Sequence, residues 1–317
     1  MECSSPLAVE WIWATIPGLP GAHAPEGVYE AGGKMKRLLT LAAGLAAGLA
    51  LLVTPAGAIT GNWEEDFEHT YVGLIVFYDS EGEFMWRCSG SLIAPTVFLT
   101  AGHCTDQDAE ESPTSARIYF RQDAGAHYDP ETELDPRSGY PETCENDPDV
   151  PDAQEICVTA STLYDYGFDN FAGFPNHRDI GIAILDEPVT TLGYAVLPTV
   201  GYVDTLGKKA WITSSGYGVT DWDPRLVSFR ERLMADSYIV NLHNGITSGF
   251  GIQSTANPAQ GKGGTCNGDS GGPVLQQGTN IILAVTSWGW NGQCKGLDFS
   301  YRVDQADVLA WIAAHSS

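Results

Sequence analysis

The chain has 317 residues, 40 of them Asp or Glu against 16 Lys or Arg, giving a formal net charge of −24 at pH 7. Such an acidic excess excludes a surface built to hold nucleic acid or an anionic membrane, and it favours solubility in an extracellular, variable or salty setting. The length suits two domains of ordinary size or one larger β protein.

In chain order, residues 1–34 come first, rich in Pro, Gly and Trp and without hydrophobic periodicity. They are expected to be unstructured and to precede a true start at Met35. Residues 35–58 read as a secretory signal peptide. Met35-Lys36-Arg37 is basic, Leu38 to Val53 is apolar, and Ala56-Gly57-Ala58 is a small-x-small cleavage site. The apolar run is shorter than the ~20 residues a membrane span needs. A secreted chain beginning at Ile59, with no membrane attachment after cleavage, is therefore expected. Seven cysteines are present, and setting aside Cys3 leaves six, an even number that suggests disulfides in a secreted chain. No CxxC or HExxH spacing occurs, so no metal is expected on such a motif.

Beyond Ile59, short β-branched and aromatic runs recur at Tyr71–Tyr78, Val97–Ala101, Ala116–Phe120, Ile180–Leu185 and Ile281–Ser287. Gly, Pro and Asp clusters separate them, the pattern of an all-β barrel or sandwich. Residues 105–176 form a long acidic stretch rich in Pro and Tyr, including Tyr128-Asp129-Pro130-Glu131 and Tyr164-Asp165-Tyr166. It reads as a solvated insert, as a calcium site, since hard cations prefer oxygen ligands, or as an exosite for basic substrates. The final segment reads as a helix capped by Asp304, with Val308, Leu309, Trp311 and Ile312 as its apolar stripe packed on the second half of the chain.

Three motifs carry chemistry. Gly268-Asp269-Ser270-Gly271-Gly272-Pro273 places a serine in a glycine-rich turn. Such a turn aims two backbone N–H groups at a point beside the hydroxyl, where negative charge develops as a nucleophile attacks a carbonyl. The hydroxyl needs a base. Leu99-Thr100-Ala101-Gly102-His103-Cys104 offers His103, and Asn176-His177-Arg178-Asp179 before the apolar run Ile180–Leu185 offers Asp179. The order His103, Asp179, Ser270 is one of the chain orders of a Ser-His-Asp triad.

These motifs, with Cys88-Ser89-Gly90-Ser91-Leu92-Ile93 and Ser287-Trp288-Gly289, resemble the trypsin/chymotrypsin family of serine proteases from roughly Ile59 onward. The resemblance implies an all-β fold of two antiparallel Greek-key β-barrels with a C-terminal helix. Residues 59–190 would form the first barrel, with the insert 105–176, and residues 191–317 the second barrel and the helix. Ser270 would attack the substrate carbonyl, His103 would take its proton, and Asp179 would fix the imidazole tautomer. The N–H groups of Gly268 and Ser270 would form the oxyanion hole, and Ser287 would bond Asp179. His177 is expected at the surface or in support of the site. Disulfides Cys88–Cys104 and Cys266–Cys294 follow from the resemblance, leaving Cys144 and Cys157 to each other. Cleavage after Ala58 would free the Ile59 amine to pair with Asp269. Substrates would be proteins or peptides, the enzyme a monomer, and no cofactor is implied.

The resemblance also places Gly264 at the floor of the primary pocket, followed by Thr265, with Ser287, Trp288 and Gly289 along one wall. Gly289 and Gly292 would leave the pocket open to a large apolar or aromatic residue. Asp298 is the alternative: a carboxylate reaching the floor would recruit a basic side chain. Two other functions remain open at this point. One is a non-catalytic binding protein on a protease scaffold. The other is an esterase, because Gly268-x-Ser270-x-Gly272 formally matches the Gly-x-Ser-x-Gly elbow, although no suitable histidine follows Ser270.

Overall fold

The computed structural model describes residues 59–106, 112–124, 157–222, 225–226, 231–259 and 261–316. The signal-peptide reading, Cys144 and residues 107–111 and 125–156 of the acidic stretch lie outside these residues. Pro55–Ser317 makes up one compact unit. Among the described residues, no helix is long and apolar enough to cross a membrane.

Two seven-stranded antiparallel sheets dominate this unit. The first comprises β1 (Val72–Tyr78), β2 (Phe84–Ala94), β3 (Val97–Thr100), β4 (Ser115–Tyr119), β5 (Cys157–Ala160), β6 (Thr162–Asp165) and β7 (Gly181–Ile184). Their order is β5-β4-β1-β2-β3-β7-β6. The outermost strands, β5 and β6, are consecutive in the chain with only Ser161 between them, so one continuous segment brings the sheet round on itself. Asp186 holds that corner, accepting hydrogen bonds from Thr159 Oγ1 and from Ser161 N–H. All seven residues of β1 are buried, which is why this strand reads as an unbroken apolar run rather than an alternating one.

The second sheet comprises β8 (Trp211–Gly216), β9 (Leu233–Asn241), β10 (Gly251–Thr255), β11 (Pro273–Gln276), β12 (Ile282–Gly289) and β13 (Leu297–Arg302), with the short strand Glu64–Glu65 at its edge. It closes fully, since β8 pairs with β9 as well as with β11. Near the first described residues, Glu64–Glu65 joins this sheet, whereas Thr60–Gly61 forms a separate two-stranded one. Thr60–Gly61 pairs with Gly263–Gly264, and Glu64–Glu65 pairs with β9.

One apolar core runs through both sheets, from Ile75, Phe98 and Ile118 to Leu275, Val285 and Tyr301. Each such side chain, fully buried, contributes about 1.5–3 kcal/mol. Arg232 crosses between the sheets, almost fully buried, and donates to the carbonyls of Asp66, Val72 and Phe120. A buried guanidinium is tolerable there because its N–H groups find carbonyl acceptors.

Three expectations are revised. Strands β4, β5 and β6 fall inside residues 105–176, so the stretch read as one insert contains three of the seven strands of the first sheet. Asp304 does not cap the last helix. The N-cap of α2 (Ala306–His315) is Gln305, and no side chain caps it. Asp304 instead forms a buried ion pair with Arg302 and accepts from Val203 N–H. A carboxylate beside a buried guanidinium is held by that charge more strongly than by a helix end. Finally, α2 reaches the first sheet as well as the second. Its Trp311 packs on Tyr166 and its His315 on Tyr164, just where β6 ends.

Candidate active site

Strands β3 and β7 pair with Thr100 opposite Gly181. The chain beyond β3 and the chain before β7 therefore emerge at the same end of the sheet. The short helix α1 (Gly102–Thr105) carries His103 there, and Asp179 precedes β7. His103 Nδ1 lies 2.9 Å from Asp179 Oδ2, and the His103 N–H donates to Asp179 Oδ1 at 2.8 Å. An ionised carboxylate only accepts, so Nδ1 carries the proton and Nε2 is left as a base. Asp179 is fully buried and also accepts from Ser287 Oγ, as expected. Burial alone would raise its carboxyl, but His103 and Ser287 hold it below the usual range. Burial likewise opposes a charge on His103, and the Asp179 carboxylate outweighs that, so the imidazole sits above its usual value.

Ser270 comes from the second sheet's turn before β11 and faces the same cleft of about 1060 Å³ as His103. No hydrogen bond joins Ser270 to His103 among the described residues, and such bonds often tighten only with substrate in place. The serine turn is fastened across the two sheets. Ser89 of β2 donates its N–H to Ser270 O and its Oγ to Gly268 O, each at 2.8 Å. Gly271, at φ +77°, leaves no room for a side chain. A Cβ there would lie 2.1 Å from Thr100 Oγ1 and 2.6 Å from Ala101 N. The turn thus abuts the segment leading into His103. Between Gly268 and Ser270, the Asp269 N–H donates to Cys266 O, whereas the N–H groups of Gly268 and Ser270 have no acceptor among the described residues. Two donors are left for a ligand oxygen.

Thr265 lines the cleft, and Gly264 before it packs against Asp298. Gly264 is buried, and a Cβ there would meet Asp298 Oδ2 at 2.7 Å. Thr265 N–H donates to Asp298 Oδ2, while Asp298 Oδ1 is buried with no partner among the described residues. Burial pushes this carboxyl up to about 7. Trp288 and Gly289 line the cleft, with Trp288 stacked on Phe299 at 3.9 Å. Disulfides join Cys88 to Cys104 and Cys266 to Cys294. Cys157 is also disulfide-bonded. Cys88, His103 and Cys104 form the sole cluster of metal-ligating atoms among the described residues, but the two sulfurs are bonded to each other.

A model of the trypsin family matches residues 65–312. The chain belongs to the trypsin family. It is 26 % identical over 218 residues to brachyurin of Leptuca pugilator, which spans 67 % of this chain and 79 % of that protein. It is 27 % identical over 225 residues to chymotrypsin-like elastase family member 1 of Felis catus, covering 67 % and 71 % respectively. Among solved structures, a collagenase termed HL collagenase overlays with a TM-score of 0.57 at 17 % identity, covering 83 % of this chain and 98 % of its own. Human heparin binding protein overlays at 0.52, also at 17 % identity, covering 80 % and 95 %. These overlays establish the shared fold. Membership of the trypsin family supports a peptidase function on protein or peptide substrates.

Sequence reasoning missed the aromatic wall of this trypsin-family cleft. Phe168 packs 5.8 Å from the His103 ring, and Phe171 lies between His177 and Trp288. The run of aromatic residues from Tyr164 to Phe174 was the signal. Asp165 was missed too: it accepts from Phe168 N–H, and burial pushes its carboxyl up to about 6. Of the two places expected for His177, the surface or support of the site, the structure gives the second: it is buried and bonded to Ser287 Oγ at 3.1 Å.

Proposed function

We propose that this chain is a secreted serine endopeptidase that cleaves peptide bonds through an acyl-enzyme. The observation that carries the reading is His103, paired with the buried Asp179, and Ser270 opening on one cleft beside two unused N–H donors. Ser270 Oγ attacks the carbonyl carbon while His103 Nε2 takes the hydroxyl proton. Asp179 stabilises the imidazolium, and the N–H groups of Gly268 and Ser270 receive the oxyanion. One such donor is worth roughly 3–4 kcal/mol of transition-state stabilisation. His103 then protonates the leaving amine, and water repeats the cycle in reverse. In a mass-spectrometric cleavage profile on denatured proteins, Ser270→Ala removes the cuts, with kcat/KM down by about 10⁴-fold or more. Cuts that persist in Ser270→Ala would defeat the reading. A binding role on the same fold, such as the name of heparin binding protein suggests, gains no support toward polyanions from a chain of net charge −24.

Signal-peptide cleavage after Ala58 is proposed as the activating step. Ile59 is fully buried, and Thr60 pairs with Gly264, two residues before Cys266, whose N–H holds Asp269. Asp269 is buried with no cationic partner among the described residues, and burial pushes its carboxyl up to about 7. The free α-amine of Ile59 supplies that partner. Any other N-terminal residue on the active enzyme would refute this step.

For the acyl side, the glycines Gly264, Gly289 and Gly292 support an apolar or aromatic residue, as the sequence suggests. The unpartnered Asp298 Oδ1 supports a second reading in which the ionised carboxylate accepts Lys or Arg. We assign the apolar preference to the protonated pocket and the basic preference to the ionised one.

A further inference from the structure

Behind Asp179 the hydrogen-bond chain continues past Ser287 to His177. His177 Nδ1 lies 3.1 Å from Pro175 O, and Nε2 lies 3.1 Å from Ser287 Oγ, which also donates to Asp179 Oδ2. A carbonyl oxygen only accepts, so Nδ1 carries the imidazole proton. The carboxylate of Asp179 only accepts as well. A neutral His177 and the Ser287 hydroxyl together hold two protons for three contacts. The contact between Nε2 and Oγ is therefore satisfied only by sharing the hydroxyl proton with Asp179, or by a second proton on the ring.

The surroundings favour the neutral ring. Phe171, Phe174 and Tyr301 pack around it at centroid distances of 5.0, 6.2 and 5.1 Å. Burial lowers its tendency to charge, and the nearby His103 adds to this, against the pull of Asp179, of Pro175 O and of Asp169. The charged and titratable groups facing it are Asp169 from the preceding loop, Asp179 from its own segment, His103 from α1 and the Tyr301 phenol from β13. Tyr301 donates to Asn176 Oδ1 and so offers His177 no proton.

Resting on the protease reading above, we propose that His177 is a positioning residue: it competes with Asp179 for the single Ser287 proton and thereby keeps Asp179 the stronger partner for His103. Full donation from Ser287 would spread the Asp179 charge and weaken its hold on the protonated His103. Partial withdrawal by His177 Nε2 does the reverse. His177 touches neither substrate nor the attacking hydroxyl; it acts through Ser287.

The test is an NMR titration of the His103 ring, identified by its loss in His103→Ala. It compares the unmodified protein with His177→Phe, Ser287→Ala and the double variant. Phe preserves the aromatic packing and removes the acceptor. The midpoint for His103 falls by about half a pH unit in His177→Phe, a fraction of one charge-assisted hydrogen bond. The acid limb of kcat/KM moves with it. The same substitution in the Ser287→Ala background changes nothing, because the shared proton is gone. His177→Gln, whose amide offers both an acceptor to Ser287 and a donor to Pro175 O, restores the original midpoint. His177→Leu serves where the Phe variant does not fold. An unmoved midpoint in a folded variant overturns the proposal, as does a shift that persists in Ser287→Ala. The ring titrates whether or not substrate is turned over. Missing Ser270-dependent hydrolysis therefore defeats the protease reading alone.

Discussion

At the scale of single residues, the chemistry depends on which buried carboxylates have a cationic partner. Asp179 faces an imidazole and is held ionised. Asp298 has one N–H donor, one orphaned oxygen and a carboxyl raised to about 7. Its charge therefore changes within the working range. The ratio of kcat/KM for an Arg substrate over a Phe substrate is expected to climb by up to about a hundredfold between about pH 6 and about pH 8, following the ratio of ionised to protonated carboxyl. In Asp298→Asn the ratio is low and flat. A ratio that stays pH-independent in the unmodified protein would show that Asp298 does not meet the substrate. The sequence made this residue visible but not its position, because Lys295–Tyr301 has no unambiguous register until β13 pairs Asp298 with Ser254 and Gly289.

At the scale of elements, the serine turn and the His103 segment are held by direct contact between the two sheets. Ser89 fastens the turn to β2, and Gly271 sits against Thr100 and Ala101. In Gly271→Ala the new methyl overlaps backbone and also occupies left-handed φ, which alone costs about 1–2 kcal/mol. The turn must move away from His103. We expect kcat/KM to fall by at least about tenfold, read with a lowered thermal midpoint; unchanged kinetics would mean that the turn is not set by this contact. The Cys266–Cys294 bridge, with Cα atoms 5.1 Å apart, ties the serine turn to the pocket wall. Replacing both cysteines with serine is expected to lower stability by about 2–4 kcal/mol, measured by denaturant unfolding.

At the scale of the whole molecule, Glu64–Glu65 joins the second sheet, Thr60–Gly61 pairs separately with Gly263–Gly264, and Asp269 is a buried carboxyl to which the proposed activation brings a cation. In a chain left uncleaved at Ala58, folding raises the Asp269 carboxyl from 3.8 to about 7. The folded state then binds that proton more tightly than the unfolded state. The stability it contributes is present below the lower value and is lost as pH rises through the higher one. If the proposed pairing forms in the cleaved chain, the Ile59 amine would keep Asp269 ionised and that loss would be deferred until the amine itself deprotonates. Asp298 affects both chains alike. Denaturant midpoints measured across this window should therefore fall more steeply for the uncleaved chain, and parallel curves would refute the pairing. Much of this architecture was legible in advance. His103, Asp179 and Ser270 stand in short motifs that local chemistry makes recognisable, and strands such as β1 and β12 appear as β-branched runs. What stayed hidden depends on contacts distant in sequence. The strands β5 and β6 are short and lie at the end of a long acidic stretch, Asp304 reads as a cap until Val203 is brought to it, and the supporting role of His177 is not distinguished from a surface one until Ser287 reaches it from β12.

The central claim is that Ser270 is a nucleophile activated by the His103–Asp179 pair, and intact-mass analysis after treatment with a serine-directed fluorophosphonate tests it most directly. A single adduct on Ser270 is expected in the chain that begins at Ile59, absent in both Ser270→Ala and His103→Ala. An unlabelled Ser270 in that chain, or labelling that survives His103→Ala, would contradict it.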